Sequence, residues 1–329
     1  MLILTADEVR KALPMREAID AMKRAYAALS GGRAEVPLRT HLTVSPHNAA
    51  SLFMPAFVQM DDGEALAVKV VSLFPDNPKR GLAFIQAAVL ALEADTGRAV
   101  ALLEGSSLTA IRTGAGSGAA IDELSRPESR TAAVFGAGVQ GRTQLEAACA
   151  VRRIETAWVY DPDPKQAQKF VAEMAGKSGI PQDLRIAGSP GEAVSQADVV
   201  CTATTATRPV FAAGDVRPGT HISAVGSYTP GMQEIPSDIV KRAYVVVDSR
   251  SAALAETGDL LQPIQAGLFG EDHIRAELGE ILLGQKPGRT SEDQITFFKS
   301  VGVAVQDAVA AHLALRNADK MKIGQQVNW

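Results

Sequence analysis

The chain lacks most of the residue groupings that announce a metal, a disulfide or a membrane. Its 329 residues hold two cysteines, Cys149 and Cys201, far apart and in apolar surroundings. They offer no disulfide framework and no CxxC metal pair, which suits a reducing, cytoplasmic setting. The five histidines (His41, His47, His221, His273 and His312) form no HxH or HxxxH pair, so no metal site is expected. There is no excess of basic residues: the net charge is −4, which argues against nucleic acid or an anionic membrane as the main partner. No stretch approaches the roughly 18 uninterrupted apolar residues of a membrane span. The opening "MLILTADEVRKALPMREAID" has no basic segment before its four apolar residues, so no secretory leader is expected.

The remaining composition is that of a globular protein, 46% hydrophobic and 21% charged, with a length that suggests about two domains. Thr5 and Glu8 have capping-box spacing, and "PMREAIDAMKRAYAALSGG" places Ile19, Met22, Tyr26 and Leu29 on one helical face. Extended segments follow in "LRTHLTV", "ASLFMPAFVQM" and "ALAVKVVSLF", and "AFIQAAVLALEADTGRAVALLEG" reads as a hairpin turning at "ADTGR". Ser106 or Ser107 is the expected cap of the small-residue helix "SSLTAIRTGAGSGAAIDEL". The Met54-Pro55 pair reads as a strand end. From Arg130 onward strand and helix alternate, which implies a parallel sheet with helices on both faces. A long helix after residue 300 is expected to return to the first domain. The fold class is therefore α/β: a Rossmann-like dinucleotide-binding domain over 115–305, plus an α+β domain over 1–114 and 306–329.

Within "TAAVFGAGVQGRTQLEAAC", Gly136, Gly138 and Gly141 lie between an apolar strand and a helix. In that setting the spacing serves a tight turn, backbone approach to pyrophosphate, and close helix–strand packing. The next strand, "TAWVYD", ends on Asp161, 25 residues after Gly136. An acid there accepts hydrogen bonds from the ribose hydroxyls and repels a 2′-phosphate, so NAD(H) is favoured while NADP(H) stays open. Thr202 and Thr204 in "VVCTATTATRPVF" fall at a strand end on the ligand-binding edge. His221 reads as a core residue, and Glu256, Gly258 and Asp259 as the end of one helix and the cap of the next.

Several segments together resemble the ornithine cyclodeaminase/mu-crystallin family, which includes archaeal-type alanine dehydrogenase and ketimine reductases. They are "PLRTHL", "VKVVSLFPDNPKRGL", "LEADTGRAVALLEGSSLTAIRTGAGS", "VFGAGVQGRTQ", "AVGSYTPGMQEIPSDIV", "VVVDSRSAALAETGDLLQPIQAG" and "FFKSVGVAVQD". The resemblance implies a homodimer formed through the first domain, with the nicotinamide at an interdomain cleft. It makes Arg39 and Lys69 the holders of a substrate carboxylate, and Arg112 and Thr113 contacts to cofactor phosphate or to that carboxylate. It sets Val139 and Gln140 behind the pyrophosphate turn, Asp161 at the ribose and Ser300 beside the nicotinamide. Arginine suits the anchoring role, because its planar guanidinium grips a carboxylate with two parallel hydrogen bonds. Lys69, in an almost wholly apolar strand, is a candidate proton donor or acceptor, since burial lowers a lysine pKa.

Two departures from the cyclodeaminases bear on the reaction. Their loop matching "VGSYTPG" carries a catalytic aspartate; this chain has Ser227, Tyr228 and Thr229, with Tyr228 as the counterpart. Where they carry a glutamate two residues before the methionine of "SLFMPA", this chain has Leu52. A tyrosine with a pKa near ~10 is a poor general base at neutral pH. Deamination and ring closure thus lose their carboxylates, whereas a hydride adds to an α-imino acid without any base that abstracts a substrate proton, provided the imine nitrogen is protonated. The expectation is an NAD(P)H-dependent imino-acid (ketimine) reductase, reversible as an L-amino acid dehydrogenase. In it Tyr228 lines the substrate pocket and Ser227 orients the nicotinamide. The alternatives are an NAD-recycling ornithine cyclodeaminase and a non-catalytic ligand binder.

Overall fold

A computed structural model describes residues 1–328. The chain opens with β1 (Leu2–Leu4), α1 (Ala6–Ala12) and α2 (Met15–Ser30). Strands β2 (Ala34–Glu35), β3 (Thr40–Val44), β4 (Ala49–Met60), β5 (Gly63–Leu73), β6 (Ile85–Leu92) and β7 (Ala99–Glu104) follow. After α3 (Gly105–Leu124) come β8 (Thr131–Phe135), α4 (Val139–Val151), β9 (Thr156–Tyr160), α5 (Pro164–Met174), β10 (Leu184–Ile186) and α6 (Pro190–Ser195). Next are β11 (Val199–Thr202), β12 (His221–Ala224), α7 (Ser237–Arg242), β13 (Tyr244–Val247), α8 (Arg250–Glu256) and α9 (Gly258–Gln265). The chain closes with β14 (Ile274–Glu277), α10 (Leu278–Leu282), β15 (Thr296–Lys299), α11 (Ala304–Met321) and β16 (Gln325–Gln326). Packing divides it into two compact units, one of Met1–Arg112 with the stretch from Val303 onward, the other Thr113–Gly302.

The first unit is built on one sheet in the order β16-β1-β7-β6-β5-β4-β2, with β3 also paired to β4. Every pairing is antiparallel except that of β1 with β7. Helices α2 and α11 pack on β4 and β5. Alternation then decides each side chain's fate: Ala65, Ala67, Lys69 and Val71 of β5 are buried, while Leu66, Val68 and Val70 are only half-buried. Pro55 is not at a strand end as its sequence suggests. It sits mid-β4 opposite Val68, between the stretches covered by β3 (up to Phe53) and β2 (from Phe57). A proline fits there because the outer neighbour is interrupted, so no ladder donor is missed. The start of α3 also differs: Glu104, rather than Ser106 or Ser107, caps it, accepting from both serine N–H groups at 2.8 Å.

The second unit is a wholly parallel sheet, β10-β9-β8-β11-β12-β15-β13-β14. The inner strands are buried on both faces, as β8 shows: Ala132 and Val134 join one core with Leu145 and Phe170, and Ala133 and Phe135 join the other with Val200 and Phe297. Strand order runs outward from β8 to β9 and β10, then reverses to β11 and β12. Such a reversal opens a crevice at the carboxyl ends of β8 and β11, the ligand site of doubly wound sheets. Among the described residues no helix is long and apolar enough to cross a membrane.

Candidate functional site

In the first unit Lys69 faces the α2/α11 side of the sheet and is 1% exposed. Its Nζ lies 2.8 Å from Asp307 Oδ2 on α11, and Arg112 Nε reaches Asp307 Oδ1 at 2.9 Å. Arg112 Nη1 donates to Gln306 Oε1 (2.9 Å), whose amide donates to the Tyr26 hydroxyl (2.8 Å). Two cations therefore share one carboxylate in a nearly water-free setting. Burial, reinforced by the Arg112 charge and more weakly by that of half-buried Arg39, and opposed by Asp307, brings the Lys69 pKa down to about 7. The group is poised to gain or lose a proton near neutrality. The fold thus brings together Lys69, Arg112 and Arg39. Asp307 and Gln306 escaped the sequence reading, although a Gln-Asp pair within the apolar run "VGVAVQDAVAAHL" was a usable signal.

In the second unit the three glycines stand between β8 and α4, each in a different steric setting. Gly136 has φ +95°, and a Cβ on it would lie 2.6 Å from the Ala203 carbonyl oxygen. Nothing lies within 4 Å of a Cβ built on Gly138, so backbone there is open to a phosphate, whereas one on Gly141 would collide with the Gly136 oxygen. Gly138 precedes α4, whose first-turn N–H groups lack partners within the helix and favour an anion. Val139 is largely exposed beside the turn, and the Gln140 carbonyl accepts from Thr143. A cavity of about 520 Å³ opens here, lined by Gly136, Gly138, Tyr160, Asp161 and Thr204. Asp161 directly follows β9 and also fixes the turn, accepting from Ala137 N (2.8 Å) and Asp163 N (2.9 Å). These residues fit a dinucleotide.

The other expected contacts divide. Thr204 lines the cavity, but Thr202 is fully buried at the end of β11. The Thr113 carbonyl accepts from Gln144 at 3.4 Å, joining α3 to α4. Ser300 Oγ donates to Asp248 Oδ2 (2.7 Å), and Asp248 also accepts from Val301 N and Gly302 N. Ser227 is likewise fully buried, its hydroxyl bonded to Met232 O (2.8 Å) and Thr257 Oγ1 (2.9 Å). Their side chains shape the loops rather than present free groups. Tyr228, 36% exposed, stands at the loop tip, and burial of its ring raises its pKa, which keeps it a neutral donor. His221 is a satisfied core residue, its ring nitrogens on Thr296 and Ser223. Asp259 is not a helix cap: Thr257 caps α9, and Asp259 is wholly buried beside Lys299.

A glycine turn of this form at the reversal of a parallel sheet defines the class: a Rossmann-type dinucleotide-binding protein. The model of the ornithine cyclodeaminase/mu-crystallin family matches residues 1–322, and the chain belongs to that family. It is 40% identical over 330 residues to a Delta(1)-pyrroline-2-carboxylate reductase of Bacillus cereus, covering 100% of both chains. Among solved structures, the Delta(1)-pyrroline-2-carboxylate reductase of Thermococcus litoralis, in complex with NADH and L-proline, superposes with a TM-score of 0.94. It shares 45% identity over 99% of this chain and 100% of its own. An archaeal alanine dehydrogenase dimer with bound NAD gives a TM-score of 0.90 at 32% identity, over 100% and 99% of the two chains.

Proposed function

We propose that the chain is an NAD(P)H-dependent reductase of α-imino acids, reversible as an L-amino acid dehydrogenase, with NAD(H) the favoured cofactor. The observation that carries this reading is the buried group of Lys69, Arg112 and Asp307, with its lysine pKa near neutrality. Arg39 and Arg112 hold the substrate carboxylate, and Lys69 passes its proton to the imine nitrogen. When bound, the reduced nicotinamide supplies the hydride that adds to the imine carbon. One C=N bond thus becomes CH–NH while the cofactor is oxidised. In the reverse direction neutral Lys69 accepts the proton of the substrate ammonium.

Delta(1)-pyrroline-2-carboxylate, named in the Bacillus and Thermococcus relatives, is the first substrate to test, with L-proline as product. Ornithine deamination is disfavoured, because Ser227, Tyr228 and Thr229 leave the loop without an acid and Leu52 replaces a glutamate. The half-exposed apolar side of the β4–β7 sheet supports a homodimer, and two free thiols suit the cytoplasm. The decisive assay mixes purified protein, NADH and pyrroline-2-carboxylate. NADH should be consumed in step with proline formed, and Lys69→Met should lose at least about 10²-fold of turnover while still binding NADH. Ammonia and proline from ornithine without net NADH consumption would sink the reading in favour of the lyase.

A further inference from the structure

Glu234 closes the segment "AVGSYTPGMQE" and is wholly buried in the second unit together with Asp259 and Lys299. Its carboxylate takes four donors. Oε1 accepts from Thr204 N (2.7 Å) and Thr204 Oγ1 (2.9 Å); Oε2 accepts from Gly226 N (2.6 Å) and Ser227 N (3.2 Å). One side chain thus ties the loop after β11 to the loop after β12. A Cβ on Gly226 would collide with both the Thr204 carbonyl and the Glu234 carboxylate, so the contact admits no other residue there.

The Glu234 backbone is itself held from behind. Asp259 Oδ1 accepts from Glu234 N (2.7 Å) and Ile235 N (3.0 Å), and Asp259 Oδ2 faces Lys299 Nζ at 3.2 Å. Beyond the clamp the loop is closed by Gly258 N to Thr229 O (3.2 Å) and Gln262 Nε2 to Pro230 O (3.0 Å). Three buried ionisable groups are costly unless their geometry serves something. Placement indicates what. Asp161 follows β9 on the adenosine side of the reversal, and the pyrophosphate turn follows β8. The other nucleotide half therefore lies toward the carboxyl end of β12, where Gly226 and Ser227 stand, while Thr204 after β11 lines the cavity that Asp161 also lines.

We infer that Glu234 is a positioning residue: anchored by Asp259 and Lys299, it clamps the two strand-end loops into the platform that holds the nicotinamide half of the cofactor. The inference rests on the dinucleotide reading above, and its test separates the two. In Glu234→Gln one acceptor oxygen becomes an NH2 group that opposes a donor pair. Calorimetry with NADH and with ADP-ribose, both without imine, is the measurement. NADH affinity should fall roughly tenfold, as for a lost charge-assisted hydrogen bond, while ADP-ribose binds within about twofold of wild type. The primary deuterium isotope effect with deuterated NADH should rise as hydride transfer becomes limiting. Equal weakening of both ligands, or unchanged NADH affinity, overturns the inference. If Glu234→Gln is insoluble, Glu234→Asp decides: it keeps the charge but is one methylene too short to bridge Thr204 and Gly226, so it should weaken NADH more than ADP-ribose, and an unchanged NADH-to-ADP-ribose ratio overturns the clamp. Absence of imine turnover in a wild type that binds NADH would remove the reductase reading and leave the clamp to be judged by these ratios.

Discussion

At the scale of single residues, Lys69 sets the expected pH dependence. Reduction requires the protonated amine, so kcat/KM for the imine should fall as pH rises through about 7; oxidation requires the neutral amine and should climb over the same interval. Asp307 is the group that holds the lysine pKa up against burial and the Arg112 charge. Asp307→Asn should therefore move both limbs to lower pH, and profiles recorded in the two directions check it. A limb that stays in place would show that another group titrates. The sequence exposed the lysine and concealed its partner for one reason. A cation inside "ALAVKVVSL" contradicts its strand outright, whereas the Gln-Asp pair of "VGVAVQDAVAAHL" is a weaker signal, since an acid in the first turn of a helix is commonly solvated.

Among elements, the glycine turn separates stability from binding. Gly138→Ala introduces a methyl with no neighbour within 4 Å, at a backbone conformation (φ −79°, ψ −167°) open to any residue. Its thermal midpoint should stay close to wild type, while NADH affinity falls about tenfold or more as the methyl meets the pyrophosphate. Gly141→Ala drives a methyl into the Gly136 oxygen and should cost about 1–3 kcal/mol of stability, read by denaturant unfolding. Equal losses in both variants would contradict the division of labour. Elements with strong periodicity or a motif were legible in the sequence: α2, the β6–β7 hairpin, β8, α4 and α11. The short strands β1, β10, β14 and β16, of two to four residues, were not. So few residues carry no measurable alternation, and only their neighbours in the sheet define them. The order β12-β15-β13-β14 was hidden too, because sequence order says nothing of where the last strand inserts.

For the whole molecule the open question is what covers the second side of the first unit's sheet. Cross-strand register builds one band from Pro55, Val68, Leu90 and Leu102, flanked by Phe57 with Leu66 and by Phe53 with Val70. All are apolar, none is buried, and Leu102 is 36% exposed. Strands apolar on both faces imply burial on both faces, and α2 and α11 pack on one of them. A second copy of the chain is the simplest occupant, since an isologous contact matches this band to itself. Wild type should therefore run at twice the mass of one chain in light scattering. Val68→Lys places a charge at the band's centre and should weaken the dimer by about two orders of magnitude, because burying an unpaired cation costs several kcal/mol. NADH binding, proposed above for the Thr113–Gly302 unit, would report that this unit still folds, and an unchanged circular-dichroism spectrum would report the same for the unit that carries Val68. A monomeric wild type at micromolar concentration, or a Val68→Lys dimer as tight as wild type, would mean that something other than a second copy covers this face.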